Sequence, residues 1–74
     1  VDAIYFFTFK LKKMNNWIKV SSLEPPQGKI ILTRINDSEG VRNEQKLIKK
    51  GNLWWFPDMS MYVYYTPTEW KQLN

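Results

Sequence analysis

From Trp17 onward, short apolar runs alternate with turn-forming residues at the spacing of a small β-rich domain rather than a helical bundle. Asn16 to Val20 predicts a strand with Ile18 and Val20 on one face and Trp17 and Lys19 on the other. In residues 21–28 the run Glu24-Pro25-Pro26-Gln27-Gly28 predicts a loop, because two prolines fix φ and remove backbone donors. Lys29 to Ile35 carries Ile30, Ile31, Leu32 and Ile35 without clean alternation, which predicts a strand at the centre of the sheet with both faces at least partly covered. The turn formers Asn36-Asp37-Ser38-Glu39-Gly40 predict a longer hairpin loop. Val41 to Lys50 fits either a strand or a short helix. The tight turn Lys50-Gly51-Asn52 favours a hairpin, with Val41 to Lys50 as a polar edge strand whose charges oppose edge-to-edge aggregation. Leu53 to Phe56 continues as a strand and Pro57 to Met61 as a loop. Tyr62 to Thr66 alternates as a strand, and Pro67 breaks it before a short terminal piece, Thr68 to Leu73. The expected fold is mostly β or α+β: a small single-domain antiparallel sheet of about four to five short strands, with room for one short helix.

The first residues stand apart from this unit. The chain opens on Val1, and Met14 lies directly ahead of the patterned region, so residues 1–13 are read as an N-terminal extension and residues 14–74 as the domain. Ile4 to Phe9 supplies an added strand if the extension belongs to the fold. A secretory leader places its cations before its apolar stretch, whereas Lys10, Lys12 and Lys13 follow it here. No apolar run approaches the roughly 20 residues of a membrane span. The expectation is a cytoplasmic protein without a membrane partner.

Composition narrows the chemistry. Aromatic residues make up 16% of the 74, with four each of Trp, Tyr and Phe, which favours folding over disorder. There is no Cys and no His, so disulfides, thiolate or imidazole metal sites and His-dependent nucleophiles are excluded. Asp58 with Glu69 is the one carboxylate pair worth checking for acid–base work. Without a phosphate-binding glycine loop, the expectation is no enzyme, no cofactor and no metal. The net charge of +4 permits weak attraction to nucleic acid or acidic proteins.

Binding residues therefore come from the aromatics and lysines. On a strand Trp54 and Phe56 share one face and Trp55 takes the other, so both Trp cannot enter a one-sided core. Trp55 either covers a secondary apolar cluster or stands exposed as an anchor for a partner. Tyr62 and Tyr64 share a face opposite Val63 and Tyr65. An open aromatic face flanked by Lys46, Lys49 and Lys50, or by Lys29 and Arg34, would suit a single-stranded nucleic acid. The leading expectation is a protein partner met through Trp55, Tyr62 and Tyr64. Nucleic acid or a small anionic ligand such as a nucleotide, held with Lys46, Lys49 and Lys50, is the alternative, and a homodimer is compatible with so short a chain.

Trp17-Ile18-Lys19-Val20, then Leu23-Glu24-Pro25-Pro26-Gln27-Gly28 with Lys29 to Leu32, then Trp54-Trp55, then Tyr65-Thr66-Pro67-Thr68-Glu69-Trp70 follow in a characteristic order. In that order the chain resembles a family of short bacteriophage and prophage proteins, domain of unknown function 551. Glu69 stands where the family usually shows His, and Lys71-Gln72-Leu73-Asn74 replaces its apolar, Pro-rich tail. The resemblance implies phage or prophage origin, a compact β-rich fold and residence in the bacterial host cytoplasm. It implies no activity; phage origin sets the expected partner as a host or phage protein, and the expected role is an inhibitor or counter-defence factor.

Overall fold

The computed structural model describes residues 16–73. Five strands, β1 (Ile18–Lys19), β2 (Ile30–Asp37), β3 (Gly40–Lys50), β4 (Leu53–Trp55) and β5 (Glu69–Gln72), form one antiparallel sheet in the order β1-β5-β2-β3-β4. The isoleucine-rich β2 lies at the centre, as its apolar pattern predicts. The short helix allowed for Val41 to Lys50 does not form, because that segment is β3, the longest strand. β3 is an edge only over its first part: β4 covers Ile48 to Lys50, and the stretch before it has β2 as its one described neighbour.

Four other expectations are corrected. The predicted opening strand contracts to Ile18–Lys19, because Ser22 and Leu23 both donate back to the Lys19 carbonyl and turn the chain. The hairpin loop contracts to Ser38-Glu39, since Asp37 already pairs with Gly40. Tyr62 to Thr66 is not a strand, apart from an isolated bridge between Tyr62 and Trp55. The fifth strand is instead the terminal piece, Glu69–Gln72, which slots between β1 and β2. The possible strand Ile4 to Phe9 lies outside the described residues.

The β2–β3 register carries a bulge that decides what enters the core. Near the turn, Ile35 faces Arg42, but further on Thr33 faces Gln45, so Asn43 and Glu44 together oppose Arg34. Extending the turn's own register would bring Lys46 opposite Ile31. The bulge shifts the pairing by one, and Leu47 takes that place. Asn43 absorbs the extra residue at φ 57°, in the left-handed region that Asn enters more readily than most residues.

No second layer of helices covers this sheet among the described residues; the loops do. Ile31, Leu47, Trp54 and Trp70 form the buried cluster on one face, with Ile18, Val20, Phe56 and Val63 packed against it. Val20, Phe56 and Val63 reach it from the segments that flank β1 and β4, and Pro25 and Pro67 are buried in the loops. The polar groups there are paired. Thr33 Oγ1 donates to the Gln45 carbonyl (2.9 Å), Trp70 Nε1 donates to the Leu23 carbonyl (2.8 Å), and Gln45 Nε2 donates to the Tyr65 hydroxyl.

Two outcomes follow for stability. Asn43→Gly should hold or slightly raise the urea midpoint, whereas Asn43→Val, β-branched at positive φ, should lose about 1–2 kcal/mol. Trp70→Phe leaves the Leu23 carbonyl without its donor and should cost about 1–3 kcal/mol, with faster amide exchange at Leu23 than at Leu47.

Candidate interaction surface

The face opposite the core is assembled from β3 outward. Period-two alternation puts Lys46, Ile48 and Lys50 on it, away from Leu47 and Lys49. Ile48 lies between its register partners Ile30 on β2 and Trp55 on β4, which bury it even though it is off the core face. Leu53 stands opposite Lys50 and remains exposed.

After β4 the chain makes a tight turn and returns along that strand's outer edge. The Met59 N–H donates to the Phe56 carbonyl (2.8 Å), and Asp58 Oδ1 accepts from the Ser60 N–H (2.9 Å). Met59 is held there at φ 62°, a left-handed conformation uncommon for a residue of its kind. The Phe56 N–H then donates to the Met61 carbonyl and the Val63 N–H to the Trp54 carbonyl, which closes the edge that β4 would otherwise present.

This return brings the predicted aromatics together. Trp55 and Tyr62 meet edge-to-face with centroids 5.3 Å apart at 66°, and Tyr62 meets Tyr64 at 5.5 Å and 85°. Val63 packs on the core and Tyr65 bonds Gln45, so the predicted alternation of residues 62–65 holds although the segment is not a strand. Tyr64 is 85% exposed and ends the ladder, with Met59 and Met61 also exposed in the same return segment. Beside it a groove of about 420 Å³ is lined by Gln27, Gly28, Ile48, Lys50 and Met59.

The lysines do not act as one group. Lys46 and Lys50 are exposed on the aromatic side, but Lys49 points into the core face at 8% exposure. Its Nζ donates to Glu24 Oε1 at 2.7 Å and lies 5.2 Å from the centre of the Trp54 ring. Lys49 thus braces the loop over the core and is set apart from the surface that Lys46 and Lys50 share. Arg34 is engaged as well: its Nε donates to Glu69 Oε1 at 2.6 Å, and its guanidinium sits 4.0 Å from the Trp17 ring centre. Lys71 approaches the same ring at 5.0 Å, and Lys29 is exposed in the loop before β2.

Asp58 and Glu69 have separate tasks, one holding the Met59 turn and the other pairing with Arg34. Hydrogen bonds from the Ser60 hydroxyl and backbone N–H hold the Asp58 carboxyl below the ordinary aspartate value. Among the described residues no three carboxylates gather into a metal-binding group, and no helix is long and apolar enough to cross a membrane. Compared with protein-family models, curated proteins and solved structures, the chain matches none.

Sequence reading missed Ile48, Met59, Gln27 and Gly28. Once Val41 to Lys50 is a strand, alternation alone separates Lys49 from Lys46 and Lys50 and adds Ile48 to their face. An apolar Met59 inside the polar turn Pro57-Asp58-Met59-Ser60 was the available signal for that residue. Nothing local brings Gln27 and Gly28 to the groove; the Gly28 N–H donates across to the Lys49 carbonyl.

Asp58 gives a pH test. Because its folded-state pKa is depressed, its hold on the turn is complete above the unfolded value of about 3.9 and is lost as pH falls through the folded value. A carboxyl carbon titration of Asp58 should show a midpoint below about 3.9, with the Met59 amide shift following it. Asp58→Ala should remove that step and speed Met59 amide exchange at neutral pH.

Proposed function

We propose that this chain is a non-enzymatic interaction module of phage or prophage origin that binds a host or phage protein through the Trp55–Tyr62–Tyr64 ladder. The observation that carries the reading is the ladder itself. Three aromatic rings in edge contact run from a half-buried Trp to a Tyr that is 85% exposed. Edge-to-face contact with one another fixes the inner rings before any partner arrives, so they lose little side-chain freedom on binding. Trp and Tyr with neighbouring Met are the residue types enriched at interface centres, and Leu53, Met59 and Met61 add exposed apolar surface around these. The resemblance to short phage proteins supports the partner class: a target in the cytoplasm of the bacterial host, met by an inhibitor or counter-defence factor.

Single-stranded nucleic acid is the competing occupant, since Lys46 and Lys50 flank the same side. The aromatics favour protein, because edge-to-face packing of Trp55, Tyr62 and Tyr64 gives part of their ring surface to one another rather than to bases.

The test is capture from bacterial host lysate by the full chain, with and without nuclease, alongside Tyr64→Ala and Trp55→Ala. A stoichiometric protein should survive nuclease, and Tyr64→Ala should weaken it about tenfold or more while shifting stability by no more than about 0.5 kcal/mol. Loss of all captured material after nuclease would replace this reading with nucleic-acid binding.

A further inference from the structure

The groove beside the ladder has a chemical bias that the aromatics do not. Two of the side chains lining it, Ile48 and Met59, are apolar. The polar side chains lining it are Lys50 and Gln27. Gln27 uses its side-chain carbonyl to accept from the Gly51 N–H at 2.7 Å, which leaves its amide NH₂ as the group on offer. Lys50 is exposed and has no ion-pair partner among the described residues. The lining therefore donates hydrogen bonds and positive charge, and no carboxylate lines it. Asp58, next to Met59 in sequence, is outside the lining, and its Oδ1 accepts from the Ser60 N–H. Lys46 extends the positive charge along the same face of β3.

We infer that the groove takes an acidic peptide segment of the bound protein: an aliphatic side chain set on Ile48 and Met59, with an adjacent carboxylate on Lys50 and the Gln27 amide. This rests on the protein-binding reading and adds the partner's chemistry. Charge complementarity selects this occupant over a second copy of the chain. A two-fold contact matches a patch with itself, and this patch would bring Lys50 and Lys46 towards their own copies with no carboxylate of the groove to meet them. An aliphatic anchor is favoured over a bare anion because most of the lining is apolar. The left-handed Met59, fixed by its own turn, gives that part of the lining a set position in advance.

The experiment uses the full chain with methyl-labelled Met and ¹⁵N backbone, titrated with an acetylated, amidated octapeptide of alternating Leu and Glu. The same peptide with Gln for Glu, and a twelve-nucleotide oligothymidine, are run in parallel. The Leu–Glu peptide should shift the Met59 methyl and the Gly28, Ile48 and Lys50 amides, and bind at least about fivefold tighter than the Leu–Gln peptide, with the gap closing as salt rises. Lys50→Glu should abolish that preference without changing the fold, and Lys50→Arg should retain it. Equal binding of the two peptides, or no shift at these residues up to millimolar Leu–Glu peptide, overturns the acidic-segment inference while leaving ladder-mediated capture of a protein standing. Shifts at the same residues from oligothymidine alone overturn the inference, and together with nuclease-sensitive capture they overturn the protein-binding reading too.

Discussion

Trp70 holds three parts of the molecule in one place. It is 1% exposed, sits on β5 between Ile18 of β1 and Thr33 of β2, and donates its indole N–H to the Leu23 carbonyl at 2.8 Å. With no helix among the described residues, this sheet finds its cover in loops, and a loop covers a core stably only if its backbone groups are satisfied there. The indole does both for residues 20–28: its ring fills the space beneath them and its donor meets one of their carbonyls. Lys49 adds a second tie from β3, its ammonium lying near the Trp54 ring and bonded to Glu24. These two contacts make a single sheet into a domain with one closed face.

Closing one face leaves the aromatic side of the sheet open. The loops that cover the core also leave the sheet at its edges, and the return after β4 places Met59, Tyr62 and Tyr64 on the side opposite the core. Trp54 and Trp55, adjacent in sequence, therefore serve different ends. Trp54 seals the interior, while Trp55 begins the ladder that leads outward to Tyr64. Trp17, gripped by Arg34 and Lys71, anchors the far end of the same face through cation–π contact rather than burial.

Two residues at positive φ set fine placement. Asn43 accommodates the extra residue that swaps Leu47 for Lys46 at the core, and Met59 turns the chain so that its side chain walls the groove. Each is supported by its surroundings: Asn43 by the register on both sides of the bulge, and Met59 by the Asp58–Ser60 and Phe56 hydrogen bonds.

The class of fold, the central position of the isoleucine-rich strand, the loop at Pro25-Pro26, and the division of Trp54 from Trp55 and of Tyr62 and Tyr64 from Val63 are legible in the residues alone. All of these follow from local rules, namely two-residue alternation, proline's missing donor and the length of apolar runs. Long-range packing settles what depends on distant partners. It made Glu69–Gln72 a strand, because that segment pairs with β1 on one side and β2 on the other, and it left Tyr62 to Thr66 irregular, with a single bridge from Tyr62 to Trp55. It sent Lys49 inward to a carboxylate 25 positions away. It also joined Gln27 and Gly28 to Ile48, Lys50 and Met59 in one groove. No local pattern encodes that meeting, because it is fixed by the register of β2 on β3 and by the course of two loops across the sheet.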